Sequence, residues 1–224
     1  YIPVSAAETK TVELVAVGDD LIHSPIYKSC KTRKGYNFDS LFKHIKKDIQ
    51  AADISVINQE TILVDKNYSG YPSFGSPKAV ADAIAKAGFN VVTHATNHTL
   101  DRGTGAITGT LKYWNRKYPN IKVLGIHKNK NAANKITVVK KNGIKIAMLN
   151  YTYSLNGRRL PAGKSYMVDL LKSKNKNKIK KDIKSAKKNS DLVIVFTHWG
   201  TEYRYSVDAS QKKWTNFFLN NGVD

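Results

Sequence analysis

The sequence predicts an α/β fold of one domain, and three observations carry that prediction. Short apolar runs alternate with segments of helical period. A central Asn142-Gly143 pair lies between two β-rich runs and signals a hairpin, which makes the sheet mixed rather than purely parallel. No Pro/Gly-rich linker and no internal repeat breaks the 224 residues.

The elements follow in order. "VELVAV" (Val12–Val17) reads as a buried strand that ends in Gly18-Asp19-Asp20. "FDSLFKHIKKDI" places Phe38, Leu41, Phe42, Ile45 and Ile49 at amphipathic-helix spacing. "ADISVIN" is a second buried strand, ending at Asn58-Gln59-Glu60. "SPKAVADAIAKAG" reads as a helix with Ser76 as N-cap, Pro77 at its first position and Gly88 as its stop. "FNVVTHA" is the third strand, Thr104 to Lys117 the next helix, and "IKVLGI" the fourth strand. After the hairpin comes a Lys-rich surface helix with Ile179, Ile183 and Ala186 on one face. "DLVIVFTHWG" is a further buried strand, and "DASQKKWTNFFLNNG" a helix with Phe217 and Phe218 inward.

Composition narrows the function classes. There are 37 basic and 17 acidic residues, a formal net charge of +20, so a polyanion is the natural partner class. A Lys-rich surface that is merely solvated explains the same number. No zinc-finger, RRM-like or KH-like signature accompanies the charge, so nucleic acid is not expected. No apolar run reaches the roughly 18–20 residues of a membrane span. The single cysteine, Cys30, excludes an internal disulfide and a cysteine-based zinc site; its place before "KTRKG" suggests a loop and a bystander thiol. Residues 1–11 read as an N-terminal extension. Ser5, Ala6 and Ala7 followed by Glu8 match the end of a signal peptide, and a trimmed chain end explains them equally.

Four strands end in polar groups: Asp19 and Asp20, Asn58 and Glu60, His94 with Asn97 and His98, and His198-Trp199-Gly200-Thr201-Glu202-Tyr203. In an open α/β sheet the carboxyl ends of the strands form the site, so these distant groups are expected to converge. Each alone has a bland reading as a turn, a cap or a structural histidine; His23, His44 and His127 are taken that way. Together, Asp, Glu, Asn and His donors suit a hard or borderline divalent ion such as Mn, Fe or Zn, which polarises an oxygen and acidifies bound water. A P-loop and a G-x-S-x-G elbow are both missing.

The blocks "AVGDDLI", "ADISVINQET", "YPSFGSPKAVADAIAKAGFNVVTHATNHTLDRG" and "DLVIVFTHWGTEY" resemble, in order from about Val12 onward, the CapA family of poly-γ-glutamate capsule-biosynthesis proteins. That family looks like a branch of the calcineurin-like metallophosphatases, which implies mixed sheets flanked by helices over 12–224. The resemblance implies metal-ligand roles for Asp19, Glu60, Asn97 and His198, with Asn58 beside Glu60. It implies that His98 protonates a leaving group or steadies a transition state. Asp101 and Glu202 are implied to orient histidines, and Arg102 to hold an anionic substrate unless it forms a plain surface ion pair. His94 and Tyr203 stand as further residues of the second shell or the substrate region.

Two departures bear on the metal. Leu21 replaces the histidine of the metallophosphatase Asp-x-His motif, and the final strand with its Gly-His-x-His motif is absent where the chain stops at "NNGVD". The chain is therefore expected either to be truncated or to continue. Family members are usually outside the membrane, in the cell envelope or associated with the membrane, beside membrane-bound capsule synthase subunits. Two functions compete: a metal-dependent hydrolase or transferase on a phosphoester or an amide of poly-γ-glutamate, and a non-catalytic basic subunit that binds or tethers an anionic polymer.

Overall fold

The computed structural model describes residues 9–224. The signal-peptide reading of Ser5, Ala6 and Ala7 lies outside the described residues. The chain opens with strand β1 (Leu14–Asp19), helix α1 (Ser24–Ser29) and a small hairpin of β2 (Lys31–Thr32) and β3 (Gly35–Tyr36). A 3-10 turn (Asp39–Phe42) and helix α2 (Lys46–Ala51) lead into β4 (Ile54–Asn58). β5 (Leu63–Val64) and β6 (Ser76–Pro77) pair with each other, followed by α3 (Ala79–Ala87), β7 (Val91–Thr93), α4 (Gly103–Lys117) and β8 (Lys122–Leu124). A short α5 (Lys130–Ala133) precedes the hairpin of β9 (Thr137–Lys141) and β10 (Ile144–Thr152). Then come α6 (Lys176–Asn189), β11 (Leu192–His198) and α7 (Ala209–Leu219).

Two sheets pack face to face. One is all parallel, in the order β1-β4-β7-β8. The other runs β11-β10-β9, parallel between β10 and β11 and antiparallel within the hairpin. Strand alternation builds the layers. Ile54 and Val56 of β4 meet Ile146 and Met148 of β10 between the sheets, while Ile57 turns outward to α3 and its neighbours. On the second sheet Ala147, Leu149 and Tyr151 turn outward to Ile179 and Ile183 of α6 and to Trp214 and Phe218 of α7. Each fully buried Ile or Leu contributes about 1.5–3 kcal/mol. The result is helices, sheet, sheet, helices, which confirms the mixed α/β class with flanking helices.

Several local expectations change. Residues 38–49 are not one helix: a 3-10 turn and α2 flank a turn, with Phe38, Phe42 and Ile49 buried but Leu41 and Ile45 exposed. Ser76 does not cap α3. Its backbone N–H donates to Ile62 and its hydroxyl pairs with Thr61 at 2.7 Å, so Ser76-Pro77 is strand, and α3 starts after Lys78. Gly88 does close that helix, in the left-handed region at φ 112°. β1 and β11 lie at sheet edges and are only half-buried, not the buried strands expected. Cys30 is a buried helix C-cap rather than a loop residue. Of the two phenylalanines expected inward on α7, Phe218 is buried and Phe217 only partly so.

Candidate functional site

The parallel pairing fixes where the polar strand ends fall. Asp19 of β1 stands in register with Asn58 of β4, and Thr152 of β10 with His198 of β11. The carboxyl ends of both sheets therefore meet at one end of the sandwich, around a cleft of about 620 Å³. A buried amide ties the halves together. Asn150 of β10 accepts from the Ala95 N–H at 2.7 Å and donates to the Phe196 carbonyl of β11 at 3.1 Å. It thereby links the segment that carries Asn97 and His98 to the strand that carries His198. Gly125 at φ 83° lets this happen, because a Cβ there would stand 2.1 Å from Asn150 Oδ1.

The turn after β7 is held by threonine hydroxyls instead of a ladder. Thr99 Oγ1 accepts from the Thr96 N–H and donates to the His94 carbonyl; Thr96 Oγ1 accepts from the His98 N–H and donates to the Glu60 carbonyl. These bonds satisfy buried backbone groups and fix Asn97 and His98 beside Glu60.

His198 is the hub. Its Nε2 lies 3.0 Å from Asn97 Oδ1 and 3.7 Å from Glu60 Oε1, and its Nδ1 lies 3.7 Å from Asp19 Oδ1 and 3.4 Å from Asn58 Nδ2. Asn58 donates to Asp19 at 2.6 Å and is itself fixed by the Thr93 hydroxyl. His198 and Asn58 hold the Asp19 carboxyl below its ordinary range against the opposing effect of desolvation. Burial raises Glu60, with the neighbouring Asp19 adding to the rise. His98 presents Nε2 3.9 Å from Glu60, while its Nδ1 donates to Asp101 Oδ2 at 2.7 Å. Asp101 also accepts from the Phe74 N–H, so its carboxylate is clamped and sets the tautomer of His98.

Thus Asp19, Asn58, Glu60, Asn97, His98, Asp101 and His198 come together as anticipated. Glu202 and Tyr203 line the open side of the cleft; Tyr203 is almost fully exposed, and among the described residues no hydrogen bond joins Glu202 to a histidine. Two expectations fail. Arg102 does not face the cleft, because its Nη1 donates to the Asn67 carbonyl and the Ser69 hydroxyl and props the loop before Gly75. His94 is fully buried under α4, where Nε2 accepts from the Trp114 indole at 2.9 Å and burial lowers its pKa to about 3. It is a neutral core residue.

Other groups were missed. His23, read as structural, lines the cleft and packs edge-on against Phe74, which packs in turn on His98. Tyr153, Asn156 and Arg158 follow β10. Asn156 Nδ2 lies 3.4 Å from His98 Nδ1, and Arg158 Nε lies 3.6 Å from Asp101. The signal was present, since β10 also ends in polar residues at this same end; only its parallel partner β11 makes that legible. Asp20, next to Asp19, has a buried Oδ2 without a hydrogen-bond partner among the described residues, and burial with the nearby Glu60 pushes its pKa up to about 7.

The fit of a cation rests on these atoms. Among the described residues four carboxylates line the cleft against a single Arg, on a chain of net charge +20. Oxygen and imidazole donors dominate, and the carboxylate oxygen of Asp20, near Glu60, has no partner among the described residues. That donor set suits a divalent ion. Among the described residues no three His, Cys, Asp or Glu side chains stand in metal-binding geometry.

Comparison with known proteins agrees with this architecture. The family model described as "Bacterial capsule synthesis protein PGA_cap" matches residues 13–224. The "Capsule biosynthesis protein CapA" of Bacillus anthracis is 28% identical across 99% of this chain and 54% of its own length. The "PGA biosynthesis protein CapA" of Bacillus subtilis (strain 168) is 27% identical across 83% of this chain and 49% of its own. The chain spans about half the length of these curated relatives. A solved structure described as "Putative 5'-Nucleotidase from Staphylococcus aureus in complex with alpha-ketoglutarate" superposes with a TM-score of 0.55 at 15% identity, over 94% of this chain and 43% of that one. That likeness carries the fold alone, and the fold is metallophosphatase-like. On the family match over nearly its whole length, the chain belongs to the bacterial capsule synthesis protein family PGA_cap.

Proposed function

We propose that the cleft is a divalent-cation site of a capsule-biosynthesis hydrolase acting on an anionic polymer such as poly-γ-glutamate, at a phosphoester or an amide. The observation that carries this reading is the concentration of Asp19, Glu60, Asp101 and Glu202 around three histidines on a strongly basic protein. Like charges at this density raise one another's cost of ionisation unless a cation joins them. Asp19, Glu60, Asn97 and His198 are the ligands, and Mn, Fe or Zn matches the donors. The ion would supply Lewis-acid polarisation and a more acidic bound water. His98, held by Asp101, points Nε2 into the cleft and delivers a proton to a leaving group. Among the described residues Arg158 is the one Lys or Arg on the cleft wall, and it orients an anionic substrate.

The setting proposed is the cell envelope, on the outer side of the membrane or attached to it, with membrane-bound synthase subunits as neighbours. Among the described residues no helix is long and apolar enough to cross a membrane. The test is a phosphoesterase and amidase screen with Mn, Fe or Zn added. The expected result is turnover that a chelator abolishes and that falls at least a hundredfold in His98→Ala, about the contribution of one acid–base group. Turnover that survives chelation contradicts the proposal.

The second reading, a non-catalytic subunit that tethers polymer, draws on the excess of basic residues. It predicts polymer binding that weakens steeply with salt and no chelator-sensitive turnover.

A further inference from the structure

Arg158 belongs to two depressions at once. It lines the acidic cleft, and it also lines a neighbouring groove of about 1100 Å³ formed by the loop after β10, the segment before α6, and the start of α5. The two depressions differ in sign. Among the described residues the groove is lined by Lys130, Arg158, Arg159, Lys172, Lys174 and Lys178 against the single acid Asp169. That is six to one, where the whole chain is 37 to 17, so the groove is more than a sample of a generally basic surface.

The floor of the groove accounts for its own charges. Lys178 pairs with Asp169 at 3.2 Å and with Asp182 at 2.7 Å; Asp169 also meets His127, and Asp182 accepts from the buried Tyr151 hydroxyl. The remaining lysines and Arg159 are exposed and, among the described residues, have no carboxylate within ion-pair distance. Uncompensated cations contributed by the start of α5, the loop after β10 and the segment before α6 fit an anion with repeated charges better than one with a single charge. The acidic cleft alone would repel such a chain.

We propose that this groove is a binding subsite for a linear polycarboxylate. It holds the stretch of polymer next to the unit presented to the acidic cleft, with Arg158 at the junction. The proposal rests on the polymer reading above but not on catalysis. Exposed ion pairs are individually weak, so the groove works by number and is screened by salt.

The experiment is fluorescence anisotropy of labelled poly-γ-glutamate with the full chain, in chelator. It compares Arg159→Gln/Lys172→Gln/Lys174→Gln with a control, Lys140→Gln/Lys145→Gln/Lys188→Gln, that removes equal charge from the hairpin end and the far end of α6. Thermal melts check that both variants fold. The groove variant is expected to weaken binding by about tenfold and the control by less than about threefold. Equal weakening in both, or no measurable binding by the unaltered chain, overturns the proposal. Weakening of labelled polyphosphate but not of polyglutamate overturns the polycarboxylate assignment. Polymer binding is read in chelator and the cation site by metal-dependent turnover, so failure of the groove and failure of the cation site give different results.

Discussion

His94 and His98 lie four residues apart in one loop and have opposite chemistry. His94 is enclosed by α4 and accepts from Trp114, which requires the neutral ring. In the unfolded chain the same residue takes up a proton near its ordinary value of 6.5, while in the folded chain it stays neutral down to about 3. The unfolded state therefore binds more protons between those values, and stability falls as pH drops from about 6.5 toward 3. The full effect is on the order of 4–5 kcal/mol. His94→Gln should flatten that part of the stability–pH curve, as measured by urea unfolding at pH 4 and pH 7. An unchanged difference between the two pH values would contradict this account of His94. His98, by contrast, faces the cleft and is steered by Asp101. Asp101→Asn should lower chelator-sensitive turnover by about 10–100-fold while Tm changes little, because orientation is lost and not the fold. Rescue by Asp101→Glu, read as partial recovery of turnover, separates steering from a general structural role.

At the scale of elements, the inter-sheet tie is the part most exposed to a single change. Asn150→Leu keeps the volume but strands the buried Ala95 N–H and removes one donor from the part-buried Phe196 carbonyl. The expected cost is about 1–3 kcal/mol, chiefly from the buried Ala95 N–H left unpaired, read from the urea midpoint. A loss within error of zero would mean that the halves of the site are held by packing alone. The same scale shows where sequence reading succeeds. The Asn142-Gly143 turn forms as expected because both residues reach positive φ, 48° and 82°, without strain from a bulky Cβ. Ile179, Ile183 and Ala186 are buried on α6 because a strict helical period leaves little alternative. It fails where long-range partners outbid local ones: Thr61 takes the Ser76 hydroxyl that would have capped α3. It also fails where apolar spacing is ambiguous, as in residues 38–49, whose Leu41 and Ile45 stay 40% and 38% exposed.

For the whole molecule, charge is sorted rather than spread. An acidic cleft sits in a +20 chain, and a basic groove adjoins it through Arg158. Much of the cleft was legible, since polar residues past parallel strands must share one end of a sheet. The contribution of the β10 loop was not, because a hairpin signal says nothing about the third strand that turns β10 into part of a parallel pair. Nor was the inward turn of His94 or the outward turn of Arg102, which depend on α4 and on the loop before Gly75. The central claim is that the strand ends form a cation site. The measurement that tests it most directly is metal content by elemental analysis after reconstitution with Mn, Fe or Zn and exhaustive desalting, for the unaltered chain, Asp19→Ala and His198→Ala. The account predicts near-stoichiometric metal in the first and a loss in both variants. Metal-free protein in every case, or metal retained equally in all three, would contradict it.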